Sequence, residues 1–303
     1  MALKSTIVER VPAAHEDLIH DVQLDYFGKQ LASAGSDRRI KIFDVVDGQQ
    51  RQQTAELVGH DGPVWQLAWA HPEFGNVLAS CSYDRQVFVW KEHSPGQWHL
   101  IHKFLGHEGS VNAISFAPRE YGLCLACASS DEHVSVLTHL GEGQWSSVML
   151  KAHKTGVNAV SWAPVVDGDG SMRFVTGGCD NLVRIWAYEP SAETWVESQV
   201  LPSAHADWVR DVAWAPSVGS GVDMIASCSQ DKKVIVWTAP SGTGEWKLSA
   251  LQMPSIVWSV SWSVTGGILA AAGGDNQVTL WKENALGEWK QIGQLSDAGA
   301  AES

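Results

Sequence analysis

The chain has 303 residues, 45 % of them hydrophobic and 18 % charged, so it can form a large core and is not a disordered protein. It has 34 Asp and Glu against 21 Lys and Arg, a formal net charge of −13 at pH 7. So acidic a chain is a poor partner for nucleic-acid phosphates or anionic lipid, and we expect direct binding to neither. It contains no apolar run of about 18 residues, so no membrane-spanning helix is expected.

The first element in chain order is a short strand-like segment, residues 5–11. After it, one pattern recurs six times: a His, four residues later a β-branched residue that opens an apolar strand, a second strand, an Asp, and a third strand that ends six residues after the Asp. In the sixth copy Met replaces the His. The copies start at His15, His60, His107, His153, His205 and Met253. Their spacing is typical of four-stranded propeller blades.

The strands within each copy differ in character. The first is apolar on both faces, as in 111–116 and 157–162, which is typical of a strand covered on both sides. The third is rich in β-branched residues, and a fourth begins with its own Trp. The sequence therefore predicts an all-β fold, a single six-bladed β-propeller domain over residues 1–303, with residues 296–303 as a disordered tail.

Three copies carry a complete set of His, Ser or Thr, Asp and Trp, with the hydroxyl residue four positions before the Asp and the Trp six after it. A hydrolase would need one exposed copy with an oxyanion hole, not three near-identical buried ones. We therefore predict structural hydrogen-bonded tetrads and no catalytic, cofactor-binding or metal-binding residue. The tetrads are His60, Ser80, Asp84 and Trp90; His153, Thr176, Asp180 and Trp186; and His205, Ser227, Asp231 and Trp237.

The other three copies depart from this set, and we expect their blades to rely on packing instead. The departures are Phe43 in the first copy, Cys127 and Leu137 in the third, and Met253 and Ala271 in the sixth.

Five cysteines are present, two of them in the CxxC of Cys124 and Cys127. This pair lies in an apolar strand, where residues three apart point to opposite faces. We predict reduced core cysteines rather than a redox or metal pair.

The two ends of the repeat array predict a gap. Residues 289–295 supply the sixth blade with its own fourth strand, and residues 5–11 add one more strand before the first copy. The propeller is therefore predicted to be open, with a seam between blades 1 and 6. An exposed strand edge is a site where a partner chain can pair.

Longer strings carry a family resemblance. The runs HEDLIHDVQLDYFG, GHDGPVWQLAWAHPEFGNVLASCSYDR, GGCDNLVRIW, AHADWVRDVAWAPS, IASCSQDKKVIVWT and GGDNQVTLWKE resemble the WD-repeat propeller subunits shared by the COPII vesicle outer coat and the nuclear-pore Y complex. The match spans residues 15 to 290, and the tetrads resemble those of WD-repeat blades.

The resemblance implies a non-enzymatic structural subunit without cofactors, whose open propeller is completed by a blade donated from an α-solenoid partner. Its expected partners are the large solenoid subunit of the COPII outer coat, a scaffold nucleoporin of the Y complex, and a vacuolar or lysosomal amino-acid-signalling complex. Membranes would be reached only through other coat proteins. The expected locations are the cytoplasmic face of the endoplasmic reticulum, COPII vesicles in ER-to-Golgi transport, and the nuclear pore.

The partner seam is assigned to Ile7, Val8, Val278 and Leu280. The alternative function is a closed WD-repeat adaptor that binds short peptides on its top face.

Overall fold

The structure is a computed structural model, and it describes residues 15–46, 49–165, 171–216 and 221–296. Within these ranges the chain forms 24 strands and two short 3-10 turns, Pro72–Phe74 and Arg119–Tyr121, and no α-helix. No helix of these ranges is long and apolar enough to cross a membrane.

The strands form six four-stranded antiparallel sheets, numbered 1 to 6 in chain order, each made of four consecutive strands. Sheets 1 to 3 contain β1 (Ile19–Leu24), β2 (Gln30–Gly35), β3 (Arg39–Val46), β4 (Gln49–Val58), β5 (Val64–Trp69), β6 (Val77–Ser82), β7 (Val87–Ser94), β8 (Gln97–Phe104), β9 (Val111–Phe116), β10 (Cys124–Ser129), β11 (His133–Gly141) and β12 (Gln144–Lys151).

Sheets 4 to 6 contain β13 (Val157–Trp162), β14 (Arg173–Gly178), β15 (Val183–Glu189), β16 (Thr194–Val200), β17 (Val209–Trp214), β18 (Val222–Ser229), β19 (Lys233–Pro240), β20 (Lys247–Gln252), β21 (Val257–Trp262), β22 (Leu269–Gly273), β23 (Gln277–Glu283) and β24 (Trp289–Ser296). The prediction of an all-β chain with six blades is confirmed. Of the predicted tail, Ser296 ends β24 and residues 297–303 lie outside the described residues.

An Asp-centred turn joins the second and third strands of every sheet. The residue after the Asp has a left-handed backbone in all six turns, with φ between 58° and 75°. In each turn the Asp Oδ1 accepts a hydrogen bond from the backbone N–H two residues on, as Asp84 does from Gln86 (2.9 Å). The short Asp side chain thus closes the turn locally, which explains why Asp recurs at this position.

The chain packs as two compact units, one holding sheets 1 to 3 up to Ala152 and the other holding sheets 4 to 6 from His153 onward. In the first unit, Ile40 and Ile42 of sheet 1 pack in one core with Val64 and Leu67 of sheet 2. A second core joins sheets 2 and 3.

The second unit repeats this arrangement. Val183 and Ile185 of sheet 4 pack with Val209 and Val212 of sheet 5, and another core joins sheets 5 and 6. In both units the first and second strands of one sheet lie against the first strand of the next. These contacts bury the first and fourth residues of β5, β9, β17 and β21, which are apolar in every case.

In four of the six sheets, two tryptophans of the same sheet pack against each other. The Trp that ends a first strand meets the Trp that opens the fourth strand edge to face, with ring centroids 5.5 to 6.1 Å apart. The pairs are Trp69–Trp98, Trp162–Trp195, Trp214–Trp246 and Trp262–Trp289. This geometry is favourable for aromatic rings, so packing accounts for much of the chain's high Trp content.

Candidate functional site

The structure brings the four members of each predicted tetrad together. In sheet 2, His60 Nδ1 lies 2.9 Å from Asp84, its Nε2 lies 2.9 Å from Ser80 Oγ, and the Trp90 indole donates to the same Oγ at 3.0 Å. The tetrads of His153 and His205 repeat this arrangement with distances of 2.7 to 3.1 Å.

The chemistry of the partners fixes the direction of each hydrogen bond. An ionised carboxylate can only accept hydrogen bonds, so the His Nδ1–H donates to the Asp. The unprotonated Nε2 then accepts a hydrogen bond from the Ser or Thr hydroxyl. The hydroxyl oxygen then accepts from the indole N–H. Ser80, Thr176 and Ser227 are 0 % exposed, so each hydroxyl is fully engaged and out of reach of a substrate.

Both titrating members of the His153 and His205 tetrads have pKa values below their ordinary values. Burial alone would raise the pKa of Asp180, but hydrogen bonding and charge from His153, with help from Arg184, lower it to about 2. Burial lowers the pKa of His153 and His205, and their Asp partners offset this only in part. The folded chain therefore favours an ionised Asp beside a neutral His.

The expectation that sheets 1 and 3 rely on packing alone is wrong. His15 contacts Asp37 (2.8 Å) and Ser33 Oγ (2.8 Å), so sheet 1 lacks only the indole donor, where Phe43 stands. In sheet 3, His107 contacts Asp131 (2.8 Å) and reaches Ser135 Oγ (2.9 Å).

The third and sixth sheets take their hydroxyl from the neighbouring strand. Ser135 lies directly opposite Cys127 in the β10–β11 register, and Thr279 lies opposite Ala271 in the β22–β23 register. In sheet 6 the Trp281 indole donates to Thr279 Oγ1 at 2.9 Å, while Met253 is buried in place of the His. A Ser or Thr four residues after the turn Asp, as Ser135 is after Asp131 and Thr279 after Asp275, is the sequence signal for this exchange.

The CxxC cysteines are buried and not disulfide-bonded. Burial raises the pKa of Cys124 to about 11 and that of Cys127 to about 12, so both are protonated thiols at neutral pH. Among the described residues, no group of three or more His, Cys, Asp or Glu could hold a metal ion.

The first strand of sheet 1 carries an exposed apolar face. The first and fourth residues of β5, β9, β13, β17 and β21 are 0 to 7 % exposed. Their counterparts in β1 are Ile19 and Val22, at 43 % and 49 %. We call Ile19 and Val22, with the neighbouring exposed Leu18 and Leu24, the β1 face.

The predicted seam residues fall in two places. Ile7 and Val8 lie outside the described residues. Val278 and Leu280 lie on β23 and are half-buried, whereas the matching residues of the other third strands, such as Val87 and Val89, are almost completely buried.

Sequence reasoning missed the β1 face. Ile19 stands four residues after His15, as Val64 does after His60, so the two positions have the same local pattern. Ile19 is nevertheless 43 % exposed and Val64 0 %, a difference that the local pattern does not predict.

The comparisons with known proteins agree with the repeat count. The family profile "WD domain, G-beta repeat" matches six segments, each running from the fourth strand of one sheet, or from just before sheet 1, into the third strand of the next. These segments are residues 8–44, 51–91, 98–136, 145–187, 196–238 and 248–282.

Curated relatives match over nearly their whole length. "Protein transport protein SEC13" of Yarrowia lipolytica is 50 % identical, covering 93 % of this chain and 98 % of the relative. "Protein SEC13 homolog" of Homo sapiens is 54 % identical, covering 96 % and 94 %. "Protein transport protein sec13" of Neurospora crassa is 57 % identical, covering 94 % and 97 %.

Proposed function

The chain belongs to the SEC13 family of WD-repeat proteins, and from that membership we propose that it is a structural subunit in protein transport, whose propeller is completed by a partner protein. The proposal has two parts. The relatives' names support the transport role. The β1 face supports the recruitment of a partner.

The observation that carries the partner proposal is the contrast in burial along the repeated first strands. Ile19 and Val22 are 43 % and 49 % exposed at positions where five other sheets have 0 to 7 %. Burying an exposed apolar side chain is favourable by about 25 cal/mol per Å². β1 is also an edge strand of sheet 1, so donated strands would gain backbone pairing as well as apolar burial.

The half-buried Val278 and Leu280 are a second apolar surface, which we assign to the same partner. Such a partner is an elongated α-solenoid that donates strands: in the COPII outer coat its large solenoid subunit, in the nuclear-pore Y complex a scaffold nucleoporin. The same surfaces would serve in a vacuolar or lysosomal signalling complex. The chain would then work at the cytoplasmic face of the endoplasmic reticulum, on COPII vesicles and at the nuclear pore.

The burial of the tetrads supports a non-enzymatic role. Each Ser or Thr that resembles a hydrolase nucleophile is 0 % exposed and already accepts an indole N–H. A nucleophile must reach a substrate carbonyl with an oxyanion hole beside it. The tetrads serve the fold, and binding is the proposed activity.

The test is co-expression of the full chain with a solenoid fragment that carries the donor strands, using wild type and Val22→Asp. We expect a stoichiometric complex on size exclusion with a clearly raised Tm for wild type, because ligand binding to the folded state stabilises it. Val22→Asp should abolish the complex, since it places a charge in the buried contact. The Tm of the variant alone should stay close to that of wild type, because Val22 is half-exposed.

Val196→Asp is the matched control, since Val196 is 39 % exposed on the fourth strand of sheet 4 and should leave the complex intact. A wild-type chain that stays monomeric with an unchanged Tm would contradict the partner proposal. That result would favour the alternative, a closed adaptor that binds short peptides on its top face.

A further inference from the structure

A tryptophan outside the repeated positions takes part in an exposed cation–π cluster. Trp208 stands just before β17, Arg210 is the second residue of β17, and Trp258 is the second residue of β21. The Arg210 guanidinium carbon lies 5.2 Å from the Trp208 ring centroid and 4.8 Å from that of Trp258. The two Trp residues are 43 % and 49 % exposed, so the cluster faces solvent.

Gln230 holds the guanidinium in place. With the amide oxygen of Gln230 turned toward Arg210, it accepts from Nε at 2.9 Å and from one terminal nitrogen. A guanidinium has five N–H groups, so others stay available on a side chain whose orientation is already fixed. Little side-chain entropy would then be lost when a ligand binds.

Arg210 forms no ion pair among the described residues, although the chain carries a net charge of −13. The carboxylates that are nearest to Arg210 in sequence have other partners.

Asp207 accepts a hydrogen bond from the backbone N–H of Trp208. Asp211 accepts from Val260 N (3.0 Å) and from Ser259 Oγ. Asp231, next to Gln230, is held by His205. The positive charge of Arg210 is thus left for a group from outside.

The cluster presents hydrogen-bond donors and apolar ring faces. The indole N–H groups of Trp208 and Trp258 donate to no described residue, which adds two donors to those of the guanidinium. A matching ligand must supply acceptors and negative charge beside an apolar group. The acidic chain repels extended polyanions such as nucleic acid, so a short segment with one or two negative groups fits best.

We propose that Trp208, Arg210 and Trp258 form a docking site for an acidic peptide segment of a protein partner, in which an Asp or Glu carboxylate binds Arg210 and a neighbouring apolar side chain packs on the indoles. Arg and Trp are the residue types that most often dominate binding energy at interfaces. The site shares no residue with the β1 face, and the proposal does not rest on the proposed partner blade.

The probe is a random dodecapeptide library displayed on phage, selected on the full chain and counter-selected on Arg210→Gln. We expect the enriched peptides to share an Asp or Glu within two residues of a Leu, Phe or Trp. Synthetic versions, measured by fluorescence anisotropy, should bind at least about tenfold more weakly to Arg210→Gln and to Trp258→Ala. Replacing the acidic residue of the peptide by its amide should weaken binding by a similar factor.

Arg119→Gln is the matched control, because Arg119 is an exposed arginine in the other compact unit and should not affect binding. Thermal melts of all variants check folding, and Arg210→Lys, which keeps the charge but not the planar fork, should bind with intermediate affinity. The proposal is overturned if no peptide prefers wild type over Arg210→Gln, or if the enriched peptides lack an acidic residue. Tighter binding of a phosphoserine version than of the Glu version would also overturn it, since the site would then be one for phosphate.

Discussion

At the scale of single residues, the tetrads convert buried polar groups from a cost into a contribution to stability. His153 sits between Asp180 and Thr176, and the hydroxyl of Thr176 also accepts from Trp186, so no member is left without a partner. A buried polar group without a partner costs about 1–3 kcal/mol. Removing one member should therefore cost more than the single bond lost, since its neighbour becomes unsatisfied.

Asp180→Ala tests whether the tetrad of His153 stabilises the fold, and a sheet of the same compact unit that lacks the His provides the control. We expect a loss of about 1–3 kcal/mol in the free energy of unfolding, because His153 Nδ1 loses its acceptor and Arg184 loses one of its two carboxylate partners. Urea denaturation measures the loss.

Asp275→Ala is the control for that experiment. Asp275 occupies the same turn in sheet 6, where Met253 replaces the His. Among the residues that the structure describes, it accepts a hydrogen bond only from the backbone N–H of Gln277, at 3.3 Å. We expect a loss below about 1 kcal/mol there. Equal losses for the two variants would mean that the Asp-centred turn, and not the tetrad, provides the stability.

At the scale of the elements, the first strand of each sheet is an edge strand, and its outward backbone groups need partners. Side chains from the preceding sheet supply several. Asp21 accepts from Leu67 N at 2.8 Å, Gln66 accepts from Ile114 N at 2.7 Å, and Asp211 accepts from Val260 N at 3.0 Å. The three amides belong to the fourth residue of β5, β9 and β21, so the same link recurs between successive sheets.

Gln66→Ala should break one such link. It leaves the Ile114 amide unpaired at the contact between sheets 2 and 3, and we expect a loss of about 1–3 kcal/mol in stability. Hydrogen exchange should show faster exchange of that amide.

Gln97→Ala is the control variant. Gln97 is an exposed glutamine at the start of β8, so its replacement should leave both stability and hydrogen exchange unchanged. Unaltered protection of the Ile114 amide in Gln66→Ala would show that packing alone holds the two sheets together.

At the scale of the whole molecule, the buried His and Asp residues make stability depend on pH. Asp180 has its pKa lowered from 3.8 to about 2, so its contribution is complete above about 3.8 and is lost as the pH falls toward 2. His107, His153 and His205 have pKa values below their ordinary 6.5 in the folded chain. The unfolded chain therefore takes up these protons first, and stability falls as the pH drops below 6.5.

Urea denaturation as a function of pH should accordingly show a free energy of unfolding that begins to decline below pH 6.5 and falls further below 3.8. His153→Gln removes one titrating group, and its decline just below pH 6.5 should be shallower than that of wild type. A wild-type profile that is flat from pH 7 down to pH 4 would contradict the assignment of neutral buried histidines.

Local patterns predicted most of the fold because each blade is built mainly from neighbours in the chain. The His-to-strand spacing, the Asp turns and the two Trp positions all concern residues within one sheet, and the six sheets occur where the pattern predicts them. The hydroxyls of Ser135 and Thr279 were missed because the predicted motif places the Ser or Thr on the second strand of each copy. In sheets 3 and 6 the hydroxyl comes instead from the third strand, from the residue that pairs with the position where the motif expects it.

The six repeats, the all-β class, the members of the three complete tetrads and the family can all be predicted from the amino-acid sequence, because each of them depends on short-range order and composition. Which apolar faces are buried could be learned only from the folded chain. Ile19 and Val64 follow their histidines at the same spacing, yet one is 43 % exposed and the other 0 %. The tertiary structure also brought Arg210 between Trp208 and Trp258, because sheets 5 and 6 place side chains from two separate strands side by side. Burial and such clusters depend on which sheet packs on which, and that is a property of the folded chain.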